Sequence, residues 1–366
     1  MKYDWKASAE RIAATLMGET PDRVPLTYLA TEDIAARISG LMIREILSNP
    51  QKLADVSLQV SEVLGGDNVS IVVTPYCGPY EGLAFAKANG KADLFVWKDY
   101  STPFLREGKL CETEKDIENL EIPDHRKVEP WPTILEATAI VREKTGMGGL
   151  FAPSLTWSNV QMLRGSQAYI DVVENPDLLL ALCEKIYASQ WNYYETFCRA
   201  VEKPRQVFNC QYAFNRHMLN FEDAWKFEGQ FINRFCKEAG LPLAIHNCGF
   251  EPYWVEVVER HIREGVKVVA VNGSHPLELD EWVLFRRKFP DIVISGASLY
   301  VNGEMEHGTP EEVEERVKQN IMKLAPHKRF IVCPVCCLPW RVPLSNIFAV
   351  KEAVEKYGRY PIKIAK

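Results

Sequence analysis

Pro242-Leu243-Ala244-Ile245-His246-Asn247-Cys248 is a short apolar run that stops on an imidazole and a thiol, with Gly249 just beyond. Seven more runs of this kind can be picked out. They are Arg23–Leu29, Asp67–Val73, Gly149–Leu155, Gln206–Tyr212, Val266–Asn272, Asp291–Leu299 and Arg329–Cys336. Most are separated by stretches with helical periodicity. Asn49-Pro50 opens a helix over Gln51–Leu64 that ends at Gly65-Gly66, and Asn175-Pro176 opens a long one from Asp177 to about Ala200. Thr309-Pro310-Glu311-Glu312 is a capping box with proline at the first helical position, and it starts a helix over Glu311–Leu324. Strands alternating with helices imply a parallel sheet with right-handed crossovers. Eight such units in 366 residues fit an α/β fold closed as a (β/α)8 TIM barrel.

Two stretches fall outside the repeat. Residues 1–22 read as a helical lead-in, amphipathic over Ala7–Leu16. Residues 75–148 read as an elaboration over the barrel mouth, with a small hairpin in Asp93–Lys109 and a returning helix over Trp131–Lys144. No linker divides the chain, so residues 1–366 are expected to form one domain. The 47% hydrophobic content can supply a sizeable core. A net charge of −6 with both signs interspersed leaves no footprint for nucleic acid. No apolar run nears the ~20 residues that span a bilayer, and Met1–Lys6 lacks a signal peptide's apolar centre. Ten cysteines in so long a chain fit reduced thiols in the cytoplasm better than a disulfide framework.

Catalytic groups of such barrels come from the C-terminal ends of strands and the loops after them. His246 and Cys248 end the fifth run, and the eighth ends in Cys333-Pro334-Val335-Cys336-Cys337. Three protein ligands with an open fourth position is the arrangement of a catalytic zinc site. Imidazole with thiolate suits zinc ahead of iron or copper. Alternation gives Cys333 and Cys337 one parity and Cys336 the other, so Cys336 is favoured for the third ligand with Cys337 as its competitor. Tyr28, Tyr76, Trp157, Tyr212, Asn272 and Trp340 also fall at strand ends or in the loops beyond them, as candidate substrate contacts. The other cysteines, Cys210 among them, read as small apolar side chains. His125, His217, His261, His275, His307 and His327 sit among charged or loop residues and read as surface positions, with His217, in Asn215-Arg216-His217 after the fourth run, kept as a minor candidate substrate contact.

The chain resembles the uroporphyrinogen decarboxylase superfamily, and within it the zinc-dependent corrinoid methyltransferases that act on coenzyme M or remove O-methyl groups. The likeness rests on Glu10-Arg11-Ile12 through Gly18-Glu19-Thr20-Pro21-Asp22-Arg23-Val24-Pro25, on Leu64-Gly65-Gly66-Asp67, and on His246-Asn247-Cys248-Gly249. It continues in Gly308-Thr309-Pro310-Glu311-Glu312-Val313, and in Cys336-x-x-Pro339 followed by Pro343-Leu344-x-Asn346. By that resemblance Cys336 is the third zinc ligand. Where decarboxylases carry an arginine-rich segment with an essential aspartate, this chain has Tyr28-Leu29-Ala30-Thr31-Glu32-Asp33, which speaks against a porphyrinogen substrate. No Asp-x-His-x-x-Gly segment of a corrinoid domain is present, so cobalamin would arrive on a separate corrinoid protein or free.

The resemblance therefore implies a zinc-dependent methyltransferase of one-carbon metabolism. It would move a methyl group between a small donor or acceptor and the cobalt of a corrinoid, in the cytoplasm, with a homodimer as one expected state. The aromatic side chains suit a methoxylated aromatic. A coenzyme M-type thiol would want a basic group, for which Arg216 and Arg341 are candidates. The alternatives are a decarboxylase-like lyase and a non-catalytic protein that handles corrinoids.

Overall fold

A computed structural model describes residues 3–69, 71–72, 78–147, 150–247, 249–273 and 278–363. The lead-in helix is Trp5–Met17; Asp4 accepts the N–H of Ala7 at its start, and Gly18 ends it at φ +77°, a left-handed cap that suits glycine. The helices expected from the sequence are present as Pro50–Leu64, Trp131–Thr145, Pro176–Ala200 and Pro310–Leu324. The elaboration carries a short antiparallel pair, β1 (Phe95–Val96) and β2 (Phe104–Leu105). It is smaller than the sequence suggested, because Ala92–Leu94 form a 3-10 turn instead of extending the strand.

Five parallel strands follow in chain order: β3 (Val207–Cys210), β4 (Leu243–His246), β5 (Val268–Asn272), β6 (Val293–Ser295) and β7 (Phe330–Ile331). The ring continues past both edges of this sheet. Phe208 N–H donates to Phe151 O at 3.0 Å, which sets the third apolar run beside β3. On the other side Thr27 N–H donates to Val332 O and Val332 N–H to Pro25 O, both at 2.9 Å, and Leu29 bridges Cys337 in parallel. Asp67 N–H donates to Leu26 O at 2.5 Å, bringing the second run beside the first. The remaining junction, between runs two and three, involves residues outside those described. The architecture is a (β/α)8 barrel.

Strand alternation builds the interior in layers. Phe208, Ala244 and Ala270 are register partners that cluster with Ala152. One layer nearer the C-terminal ends, Cys210, His246, Asn272 and Ser295 are partners across β3 to β6. The alanines of the lower layer leave room for the Phe208 ring, which lies under His246 at 5.7 Å between centroids and 27° between planes. At the opposite end, Asp67 joins the lead-in helix to the first two strands. Its carboxylate accepts from Ser8 Oγ (3.0 Å), Arg11 Nη1 (2.5 Å), Arg23 Nη1 and Nη2 (2.8 and 3.1 Å) and Leu26 N (2.8 Å).

Two histidines expected on the surface are in the core. His125 Nε2 meets Glu81 Oε2 at 2.8 Å, its Nδ1 meets Asn192 Oδ1 at 3.0 Å, and Ser189 Oγ donates to the other Glu81 oxygen at 2.5 Å. Burial opposes charge on His125, but Glu81, Asn192 and Asp124 together outweigh it and the histidine pKa rises. His261 is the contrary case. Burial alone lowers it to about 3, so it stays neutral and accepts from Gln211 Nε2 at 2.9 Å. Among the described residues, no helix is long and apolar enough to cross a membrane.

Candidate metal centre at the barrel mouth

His246 ends β4, where the strand delivers its ring to the barrel interior, and the side chain is 1% exposed. Its Nδ1 lies 2.6 Å from Asn272 Oδ1, at the register-matched position of β5, and Asn272 Nδ2 donates onward to Ser295 Oγ at 3.1 Å. An amide oxygen can only accept, so Nδ1 donates to it and Nε2 is the nitrogen that a metal would take in place of a proton. This is the outer partner that metal-bound histidines commonly have. The Cys336 sulfur stands close enough to act on the ring. Burial disfavours the charged ring, yet the sulfurs of Cys210 and Cys336 and the Asn272 bond overcome it and push the histidine up to about 9. The described residues thus bring two of the donors expected of a zinc site, an imidazole held at Nδ1 and a cysteine sulfur, to the C-terminal end of the barrel.

Cys336 takes φ +77° without being glycine. That backbone is held from both sides, because Val335 N–H donates to Leu299 O at 2.7 Å and Leu338 N–H to Leu29 O at 3.2 Å. Residues kept in this region by their surroundings cluster at functional sites. Cys337 instead bridges Leu29, and Cys333 is wholly buried beside Thr27, Asn272 and Ser295. Cys248, expected as a ligand, lies outside the described residues, as do Tyr76 and His275. Among the described residues no three histidine, cysteine or acidic side chains stand together at metal-holding distance.

The expected substrate contacts scatter. Tyr28 is buried and donates to Ile347 O at 3.2 Å, in the first turn of the helix Leu344–Tyr357. Trp157 is fully buried against Tyr169 and Phe227, so it shapes the wall. Asn272 orients His246, as described above. Tyr212 is part-buried, just past β3. Trp340 is 44% exposed in the loop after β7, with the Arg37 guanidinium 6.0 Å from its ring centre. Arg216 lies over Tyr253 and pairs with Glu256 at 2.7 Å, while Arg341 pairs with Glu306 at 2.8 Å. Neither arginine is held ready for an anion in this arrangement.

Two residues that the sequence reading passed over belong near the site. Cys210 is no mere apolar filler: it is the register partner of His246 in the same layer. Glu228 sits on the single π-turn Trp225–Gly229 and accepts from Ala213 N at 3.0 Å; burial pushes its carboxyl well above the usual range, and Cys210 adds to the effect. Glu32, on the first turn of the helix Glu32–Ser39, is 1% exposed.

Two outcomes follow. Asn272→Leu keeps the bulk and deletes the acceptor at Nδ1, and is expected to weaken zinc binding about 10–100-fold; competition with a chelator measures it, and unchanged affinity would remove Asn272 from the centre. Burial, aided by Asp33, pushes Glu32 up to about 7 against the bonds from its own N–H, Tyr80 and Thr102. The folded state therefore holds this proton to higher pH than the unfolded chain, whose glutamates ionise near 4.5. Glu32's contribution is at its best below that value, declines as pH rises to about 7, and is worst above it. Glu32→Gln should remove the decline and stabilise the protein by about 3 kcal/mol on the alkaline side. Urea unfolding of both proteins on the two sides of this window checks the slope; parallel curves would contradict it.

The uroporphyrinogen decarboxylase (URO-D) family model matches residues 7–357. No curated protein matches the chain in sequence. Among solved structures, a methyltransferase from Methanosarcina mazei is similar with a TM-score of 0.70 and 15% identity, over 95% of this chain and 98% of that one. Xylanase B from Clostridium stercorarium F9 covers 60% of this chain and 81% of its own at 12% identity, but its TM-score of 0.37 carries no argument.

Proposed function

The chain belongs to the uroporphyrinogen decarboxylase family, and from that premise we propose that it is a zinc-dependent methyltransferase, moving a methyl group between a small substrate and the cobalt of a corrinoid. The substrate is a methoxylated aromatic or a thiol such as coenzyme M. The observation that carries this reading is the placement of His246 beside Cys336 with its Nδ1 held by Asn272. His246, Cys336 and Cys248 would hold the metal. Zinc bound by imidazole and thiolates lowers the pKa of a substrate thiol or stabilises a departing oxygen. Around it, Asn272, itself held by Ser295, fixes the imidazole plane. The buried Trp157 keeps water from one wall. The corrinoid, free or carried by a separate protein, approaches over the open mouth, where Trp340 stands exposed. The solved methyltransferase of similar fold supports the same reading.

The test pairs zinc analysis with two assays: methyl transfer from methylcobalamin to small thiols, and from methoxyarenes to cob(I)alamin. About one zinc per chain with turnover in either assay is expected. A zinc-free protein, or a zinc-loaded one inert in both, would overturn the proposal.

A further inference from the structure

The row of β4 that faces away from the barrel interior is apolar until the strand ends. Ala244 lies in the interior cluster and His246 one layer above it, so Leu243 and Ile245 point outward, and both are fully buried in the main core. Asn247 takes the next position of that row and is 2% exposed. A buried amide is costly unless its polar atoms are bonded, and both ends of this one are. Nδ2 donates to Gln211 O at 2.9 Å and Phe214 O at 3.1 Å, in the loop after β3, and Oδ1 accepts from Gly249 N at 2.8 Å. The loops after β3 and β4 are fastened together around this amide. Gln211 N–H donates to His246 O at 2.8 Å, Arg216 N–H to Glu251 O at 3.3 Å and Tyr253 N–H to Phe214 O at 3.1 Å, while Asn215 and Pro252 form an antiparallel bridge. A Cβ at Gly249 would stand 2.0 Å from Asn215 Nδ2, so the loops approach this closely only because the position is glycine. Cys248 is the single residue between Asn247 and Gly249, and the bond from Gly249 N–H to Asn247 Oδ1 closes an Asx turn across it.

We propose that Asn247 is the positioning residue of the metal centre: it latches the end of β4 to the loop after β3, closes the turn across Cys248, and so presents His246 and Cys248 to one ion. This rests on the zinc methyltransferase reading above. The two side chains of a His-x-Cys step converge on one ion only at particular φ and ψ of the residues between them, and the three bonds of the Asn247 amide hold the chain there. Donors held before the ion arrives lose less freedom when it binds, so the affinity rises. Asn247 acts through the ligands and touches neither the ion nor the substrate. Asparagine suits the task because its amide offers two donors and an acceptor; aspartate keeps the acceptor but has nothing to donate to the two carbonyls, and alanine has neither.

The test compares wild type, Asn247→Ala, Asn247→Asp and Cys248→Ala, each loaded with zinc or with cobalt(II), whose thiolate-to-cobalt absorption reports how many sulfurs are bound. Wild type is expected to give the band of two thiolates and Cys248→Ala the band of one. Asn247→Ala keeps both cysteines, yet it is expected to bind zinc about 10–100-fold more weakly in competition with a chelator. Its cobalt band should move toward that of Cys248→Ala. Asn247→Asp, which retains the turn and loses the latch, should fall between, and it carries the test if the alanine variant does not fold. A role in folding alone would lower stability in chelator and leave the zinc affinity and cobalt band of the folded protein as in wild type. That result overturns the proposal, as does wild-type affinity in Asn247→Asp or a two-thiolate band in Cys248→Ala. If the metal results are as expected and no methyl transfer is found, the methyltransferase reading falls and the role of Asn247 stands. Wild type that binds neither metal removes both.

Discussion

Asp67→Ala is expected to lower the unfolding free energy by about 3–5 kcal/mol, the size of loss seen when one partner is removed from a buried charge cluster. Asp67 is wholly buried, and five donors from four residues converge on its two oxygens. Alanine would strand the guanidinium groups of Arg11 and Arg23, which are 9% and 19% exposed. Arg11 keeps Asp22, to which it donates from Nε and Nη2 at 2.7 Å each, so Arg23 loses more. The loss also unties the lead-in helix from the ring, because Ser8 and Arg11 both lie on that helix and have Asp67 as a common acceptor. Screening by salt should change little, since the pair is shielded from solvent. Urea unfolding monitored by tryptophan fluorescence gives the number. Ser8→Ala, which removes one neutral donor, should cost about 1 kcal/mol and grades the series if the alanine variant at 67 is too unstable to study. A loss under about 1 kcal/mol for Asp67→Ala would show that Asp67 is not the fastening it appears from its bonds to be.

The barrel was legible because its strands are buried on both sides. Such strands read as unbroken apolar runs with sharp ends, and β3 to β7 each fall within the run expected for them. What the sequence concealed is lateral. Cys210 sits inside a run that reads as strand, and only the pairing of β3 with β4 shows that it shares a layer with His246. Asn272 reads as a polar strand end open to substrate, whereas register places its carbonyl against Nδ1 of His246. His125 lies in Asp124-His125-Arg126-Lys127, a charged setting that argues for the surface, but its burial is decided by Glu81, 44 residues earlier. Arg216 is basic and near a strand end, yet Glu256 claims it from 40 residues away. Glu32 stands where a different residue pattern marks the decarboxylases, and that departure was visible. Its enclosure by Tyr80 and Thr102 was not, because both belong to elements placed by tertiary packing.

Cys336→Ala and Cys336→Gly are expected to abolish zinc binding alike while separating in stability, which makes them the sharpest pair at the centre. Each removes the sulfur that stands beside His246. Two remaining ligands do not make the three-ligand set of a catalytic zinc site, so metal content should fall from about one per chain to a small fraction. Alanine retains a Cβ at φ +77°, where L-residues are strained, whereas glycine relieves that strain. The metal-free glycine variant should therefore be about 1 kcal/mol more stable than the alanine variant, after allowing for the greater chain entropy of glycine. Metal analysis after gel filtration reads the first effect, and thermal or urea unfolding in chelator reads the second. Wild-type zinc in the glycine variant would remove Cys336 from the ligand set and turn attention to Cys337. Equal stability of the two variants would mean that the left-handed backbone at 336 is not maintained at a cost. If both effects appear, the backbone strain and the metal site have the same residue as their origin: the chain holds Cys336 in an unfavourable conformation because that conformation points its sulfur at His246.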